Sequence, residues 1–132
     1  MLKTINKNRA KKILIIEDQE VFIDMFGSKL KQAGFQVFSA MNGAWGLKEI
    51  SKNNFDLLII DMIMPAMNGD EIVAKVKMEE KTKNIPIIIL SASVDEEAQK
   101  KVEQMGVSHF FLKTRITPSD LLEKVKEILE KN

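Results

Sequence analysis

A doubly wound α/β fold, with one parallel sheet covered by helices on both faces, is predicted by three observations. Short apolar runs alternate with longer amphipathic segments along the whole chain. The alternation is regular, five of each, as right-handed strand–helix–strand crossovers require. The 132 residues make one domain, which buries about two-thirds of its surface on folding and needs no staple.

The elements follow in order. Residues 13–16 are Ile-Leu-Ile-Ile, and Glu17-Asp18 ends the run. Val21, Phe22, Met25, Phe26 and Leu30 then share one helical face, and Gly34 is placed to stop that helix. Residues 35–38 alternate, Phe35 and Val37 against Gln36, as a strand with one polar face does. Amphipathic segments lead next to 55–60, apolar but for Asp56, and then to 85–90. Ser93-Val94-Asp95-Glu96 reads as a capping box for a helix that Gly106 ends. Its apolar stripe is thin: Val94, Ala98, Val102 and Met105. The fifth run is 109–112. Thr117-Pro118-Ser119-Asp120 opens the last helix with a cap, a first-turn proline and an acid at the positive dipole end. Leu121, Leu122, Val125, Ile128 and Leu129 form its stripe.

Runs one, three and four are apolar on both faces, as central parallel strands are. Runs two and five are mixed and suit the edges. Sequence neighbours then give the order 2-1-3-4-5, a flavodoxin-like (βα)5 sheet whose crevice lies beyond the carboxyl ends of strands one and three. No internal repeat or interdomain linker interrupts residues 11–132, and residues 1–10 read as a flexible basic arm.

Composition narrows the chemistry. There are no cysteines, which excludes disulfides, thiolate metal sites and thiol nucleophiles. Twenty bases against 19 acids argue against a dedicated nucleic-acid binder. The balance is uneven: residues 1–12 hold five bases and no acid, and the rest carries 15 bases against 19 acids. No apolar stretch reaches the length of a signal peptide core or a membrane span, so a soluble cytoplasmic protein is expected.

Chemical groups stand where open α/β sheets bind ligands. Glu17-Asp18 follows strand one, Asp61 strand three, Ser91 strand four and Lys113 strand five. Taken singly, each has a plain reading as a helix cap, a turn residue or a solvated side chain. All of them at one edge of one sheet do not. Three converging carboxylates call for a cation, and all-oxygen ligation suits Mg²⁺. The loop Glu17-Asp18-Gln19-Glu20 would repel a bare phosphate, which argues against a flavodoxin-type mononucleotide site. An aspartate-nucleophile phosphatase with a second acid two positions on would need one at 63, where Ile63 stands.

These residues resemble the receiver domain of two-component response regulators, from about Lys11 to the end. The acidic pair is Glu17-Asp18. The phosphoacceptor is Asp61, in Asp61-Met62-Ile63-Met64-Pro65-Ala66-Met67-Asn68-Gly69. The switch hydroxyl is Ser91, followed by Ala92, and the lysine is Lys113. The resemblance implies that Asp61 takes a phosphoryl group from a sensor histidine kinase, a histidine phosphotransfer protein or a small phosphodonor. It implies Mg²⁺, with Mn²⁺ as a substitute, on Asp18, Asp61 and the Ile63 carbonyl, with Glu17 acting through water. Lys113 would pair with Asp61 first and a phosphoryl oxygen later, Ser91 would move to the phosphoryl group, and Phe110 would be the aromatic partner of that switch. The downstream target would dock on the face of the fourth helix, fifth strand and fifth helix. The length matches a chemotaxis-regulator-like receiver standing alone, with output through contact with another protein.

Two positions depart from the family pattern. Thr114 follows Lys113 where a proline after a cis bond is usual. A cis bond before threonine costs about 3 kcal/mol, so a trans bond is expected, with some displacement of the lysine or its loop. Ile63 occupies a site of water approach where polar residues are frequent. His109 lies on a short edge strand and reads as a partly buried surface residue, not a phosphoryl donor. Trp45, Met62, Met64 and Met67 read as packing, the last two also as part of a kinase-facing rim. A phosphate-ester hydrolase using Asp61, or a constitutive receiver-like scaffold, are the competing functions.

Overall fold

The computed structural model describes residues 10–130. The arm expected over 1–10 therefore lies, but for Ala10, outside the described residues. Ten elements alternate: β1 (Lys12–Ile16), α1 (Glu20–Gln32), β2 (Gln36–Ala40), α2 (Gly43–Lys52), β3 (Leu57–Asp61), α3 (Gly69–Met78), β4 (Ile87–Ser91), α4 (Glu96–Gln104), β5 (His109–Leu112) and α5 (Pro118–Glu130). The sheet is parallel throughout, in the order β2-β1-β3-β4-β5.

β3 and β4 are buried at every position and β1 at all but Lys12. The edge strands β2 and β5 are only partly covered. Side chains alternate between two cores. Leu14, Ile16, Leu58, Ile60 and Ile89 meet α2, α3 and α4 through Ile50, Ile72, Val73, Val76 and Val102. Ile13, Ile15, Ile59, Ile88 and Leu90 meet α1 and α5 through Phe26, Leu30, Leu121 and Val125. Among the described residues no helix is long and apolar enough to cross a membrane.

Several boundaries move, each for a local reason. β4 starts after Pro86, which has no N–H to give to the ladder and whose carbonyl accepts from Leu58 N–H at 3.0 Å. β3 starts after Asp56, whose carboxylate is turned to Lys12 N–H at 2.7 Å. Asp61 and Ser91 are consequently the last residues of their strands. The helix after β4 is capped by Asp95, which accepts from Ala98 N–H at 3.1 Å, and not by Ser93. The Ser93 carbonyl is held by the Ser91 hydroxyl at 2.8 Å, so Val94 is left exposed outside α4. On α1, Phe22, Ile23, Phe26 and Leu30 face the core, whereas Val21 is 64% exposed and Met25 is also exposed. Trp45 is 45% exposed and is not a packing residue.

Helix ends follow the expected chemistry. At Gly34, φ is +99°, and Phe35 N–H reaches the Leu30 carbonyl at 3.2 Å, which closes the last turn of α1. Thr117 Oγ1 accepts from Asp120 N–H at 3.0 Å and Asp120 Oδ2 from Thr117 N–H at 3.3 Å. That reciprocal pair starts α5.

Candidate functional site

The parallel sheet brings the carboxyl ends of β1, β3, β4 and β5 to one edge, and four titratable groups meet there. Glu17 is 2% exposed, Asp61 3% and Lys113 5%, while Asp18 is half-buried. Glu17, Asp18 and Asp61 each offer a carboxylate oxygen within 4.8 Å of the others. The Lys113 ammonium donates to Glu17 Oε1 at 3.0 Å and Oε2 at 3.2 Å, and to Asp61 Oδ2 at 3.3 Å. It also sits 4.5 Å from the centre of the Phe22 ring.

Backbone contacts fix the frame. Glu17 N–H bonds the Ala40 carbonyl at 3.0 Å, and Glu17 Oε2 accepts from Gln19 N–H at 2.9 Å. Both Glu17 oxygens therefore have partners already. Lys113 N–H bonds the Ser91 carbonyl at 2.7 Å. The Lys113–Thr114 bond is trans, since no cis bond occurs among the described residues, and the lysine still reaches the carboxylates.

The loop after Asp61 is drawn tight. Gly69 N–H bonds the Met62 carbonyl at 2.7 Å, so the start of α3 lies against the end of β3. A Cβ on Gly69 would stand 2.7 Å from the Asp61 carbonyl oxygen and 2.9 Å from Met62 Cα. Glycine is needed there for close approach of two backbones. Met62 and Met64 are buried and Met67 is half-buried against the same core, so Met64 is packing and not rim. Ile63 is 59% exposed.

Electrostatics at this edge are unfavourable for three anions and one cation. Burial pushes the Asp61 carboxyl up to about 6, and the Glu17 charge adds to this, against the opposing pull of Lys113 and a hydrogen bond from the Ile63 backbone. A native carboxyl that holds its proton up to pH ~6, when the unfolded one releases it near 3.9, costs stability as pH rises through that window. A divalent cation would remove the cost. The donors are all oxygen and face an open strand edge, which fits a hard ion such as Mg²⁺.

Of the residues predicted for the site, Glu17, Asp18, Asp61 and Lys113 come together. Ser91 is adjacent through its carbonyl, with its hydroxyl turned away to Ser93. Phe110 lies on β5, half-buried against the core under α2, α3 and α4. Phe22 was missed: its place on an apolar helical face concealed the cation beside it. A cavity of about 730 Å³ between the C-terminal ends of α2 and α3 shares no residue with the cluster.

The profile of the family described as "Response regulator receiver domain" matches residues 13–126. The chain is 29% identical over 128 residues to the chemotaxis protein CheY-3 of Vibrio cholerae, with 96% of each covered. It is 30% identical over 126 residues to the hybrid signal transduction histidine kinase D of Dictyostelium discoideum, which covers 89% of this chain and 8% of that protein. It spans about half the length of the transcriptional regulators it matches. A CheY-like receiver domain protein from Methanospirillum hungatei superposes with a TM-score of 0.87 at 28% identity, over 93% of this chain and 96% of that one.

Proposed function

The chain belongs to the response regulator receiver domain family, and from that premise we propose that it accepts a phosphoryl group on Asp61 and signals by phosphorylation-dependent protein contact. The observation that carries this is the Lys113 ammonium, buried between Glu17 and Asp61 at an edge where three carboxylates lie within 4.8 Å. Residues 11–132 form the receiver in this reading.

An Asp61 carboxylate oxygen attacks phosphorus in the phosphohistidine of a sensor kinase or phosphotransfer protein. The new O–P bond forms as the P–N bond breaks, and the leaving imidazole takes a proton from water. Asp18, Asp61 and the Ile63 carbonyl would hold Mg²⁺, while Glu17, whose oxygens are taken by Lys113 and Gln19 N–H, would reach it only through water. Bound there, the ion supplies neutralisation of charge on the phosphoryl oxygens. Lys113 shifts from the Asp61 oxygen that is consumed to an equatorial phosphoryl oxygen. Ser91 exchanges its bond to the Ser93 carbonyl for one to the phosphoryl group, which frees the loop that leads to Asp95 and α4. α4 is held by little, with Val102 its only fully buried residue, so it suits a mobile element. Phe110 follows by packing alone, and the α4–β5–α5 face meets the downstream partner.

The test is incubation with acetyl phosphate and Mg²⁺ followed by intact mass measurement. A stoichiometric gain of about 80 Da, absent in Asp61→Asn, is expected. Turnover of varied phosphate esters would replace this reading with a hydrolase, and no adduct would replace it with a scaffold. Since Asp61 must be ionised to attack, the rate in limiting Mg²⁺ falls as pH drops below about 6. Ile63, exposed beside the acceptor, screens the acyl phosphate from water. Ile63→Asn is expected to shorten adduct lifetime severalfold, and an unchanged lifetime would exclude the screening role.

A further inference from the structure

We propose that Phe22 is a positioning residue for phosphoryl transfer: its ring face confines the Lys113 ammonium to the carboxylate edge. The inference rests on the function proposed above. Lys113 has three N–H donors: the two Glu17 oxygens, at 3.0 and 3.2 Å, lie too close together to take one each and share one, and Asp61 Oδ2 at 3.3 Å takes a second. The Phe22 ring stands 4.5 Å from the same nitrogen. A ring face attracts a cation yet offers no lone pair that competes for its protons. The remaining side of the ammonium is thus closed to water without any of its hydrogen bonds being diverted.

The consequence is specific to the moving part of the reaction. When one Asp61 oxygen becomes bonded to phosphorus, Lys113 must follow the charge to a phosphoryl oxygen. Its four-carbon stem allows many rotamers, and few of them keep the nitrogen over this edge. The ring attracts the cation both before and after transfer, so it restrains the stem in both states while the oxygens change. Phe22 also stacks with Phe26, with centroids 6.1 Å apart, and that contact holds the ring from α1. A leucine at 22 would retain apolar volume and lose the face. A tyrosine would retain both.

Two measurements test this on the full chain. The first is the rate of the 80 Da gain with acetyl phosphate at saturating Mg²⁺, for wild type, Phe22→Leu, Phe22→Tyr, Lys113→Met and the Phe22→Leu/Lys113→Met double variant. Phe22→Leu is expected to be about tenfold slower, Phe22→Tyr within about twofold of wild type, and the double variant within about twofold of Lys113→Met. The second is a urea double-mutant cycle without metal, in which Phe22 and Lys113 are expected to couple by about tenfold in the folding constant.

A wild-type rate in Phe22→Leu overturns the proposal. So does an equal slowing by Phe22→Leu on the Lys113→Met background, or a Phe22→Tyr variant as slow as Phe22→Leu, since each marks the ring as core filler. If Lys113→Met fails to fold, the leucine and tyrosine variants still decide. A wild-type chain that gains no mass overturns the phosphoacceptor reading, and the positioning role falls with it. The urea cycle needs no phosphodonor, and it separates that failure from the absence of a ring–ammonium contact.

Discussion

Methionine in place of Lys113 is expected to cost about 3–5 kcal/mol of folding stability at pH 7.5 in metal-free buffer. Glu17 and Asp61 would then share a buried edge with no cation between them. Lys113 is the main influence that opposes the rise of the Asp61 pKa, which stands at about 6 with the lysine in place, so its removal sends that carboxyl higher. The native state then holds a proton over a wider range in which the unfolded chain has lost it. Relative to wild type the penalty accumulates as pH rises above about 6, where wild-type Asp61 gives up its proton and the variant's does not, and it is absent where both native states are protonated. Urea denaturation of both proteins at pH 7.5 and pH 4.5 is the check. The gap should shrink in acid, and Mg²⁺ should narrow it at pH 7.5. A loss of equal size at both pH values would assign the effect to packing of the lysine stem instead of its charge.

Gly69→Ala is expected to cost about 2–3 kcal/mol and to slow adduct formation by more than about tenfold. The atoms a methyl group would meet are the Asp61 carbonyl and Met62 Cα, and backbone cannot turn aside as a side chain does. α3 would be pushed from the end of β3, with loss of the 2.7 Å bond from Gly69 N–H to the Met62 carbonyl. Because that bond anchors the loop after the acceptor, one substitution should register in both the urea midpoint and the rate of mass gain. Wild-type stability in this variant would show that the loop can yield there.

The strand order and the acid–lysine edge were legible because they depend on coarse properties. Central parallel strands must be apolar on both faces, and 13–16, 55–60 and 85–90 are. Ligand chemistry must lie beyond them, and Glu17, Asp18, Asp61 and Lys113 do. The rotation of α1 was not legible, because Val21 and Met25 satisfy helical spacing as well as the residues that win. Packing against β1 and α5 selects Phe22, Ile23, Phe26 and Leu30. The cap of α4 was misplaced because Ser93 and Asp95 are both good caps, and only the Ser91 hydroxyl on the Ser93 carbonyl decides between them. Glu17 as the closest partner of Lys113 joins residues 96 apart, for which one sequence carries no signal.

The two cores on opposite faces of the sheet bear on how the strands find their partners. In β1, β3 and β4 the residues sent to either face are nearly equivalent, Ile13 and Ile15 against Leu14 and Ile16, or Leu57 and Ile59 against Leu58 and Ile60. A one-residue slip in pairing, which turns every side chain to the other face, would therefore bury almost the same oil. The strand interiors hold little that forbids it; the ends do. Shifting β3 by one residue toward its amino end would carry Asp61 about 3.3 Å into the sheet, away from Lys113 and among isoleucines, where an unpaired carboxylate is costly. The charged edge is thus expected to act during folding as a stop against slips in that direction. Removing its charges would widen the set of misaligned sheets open to the chain, a cost in folding fidelity separate from any loss of signalling.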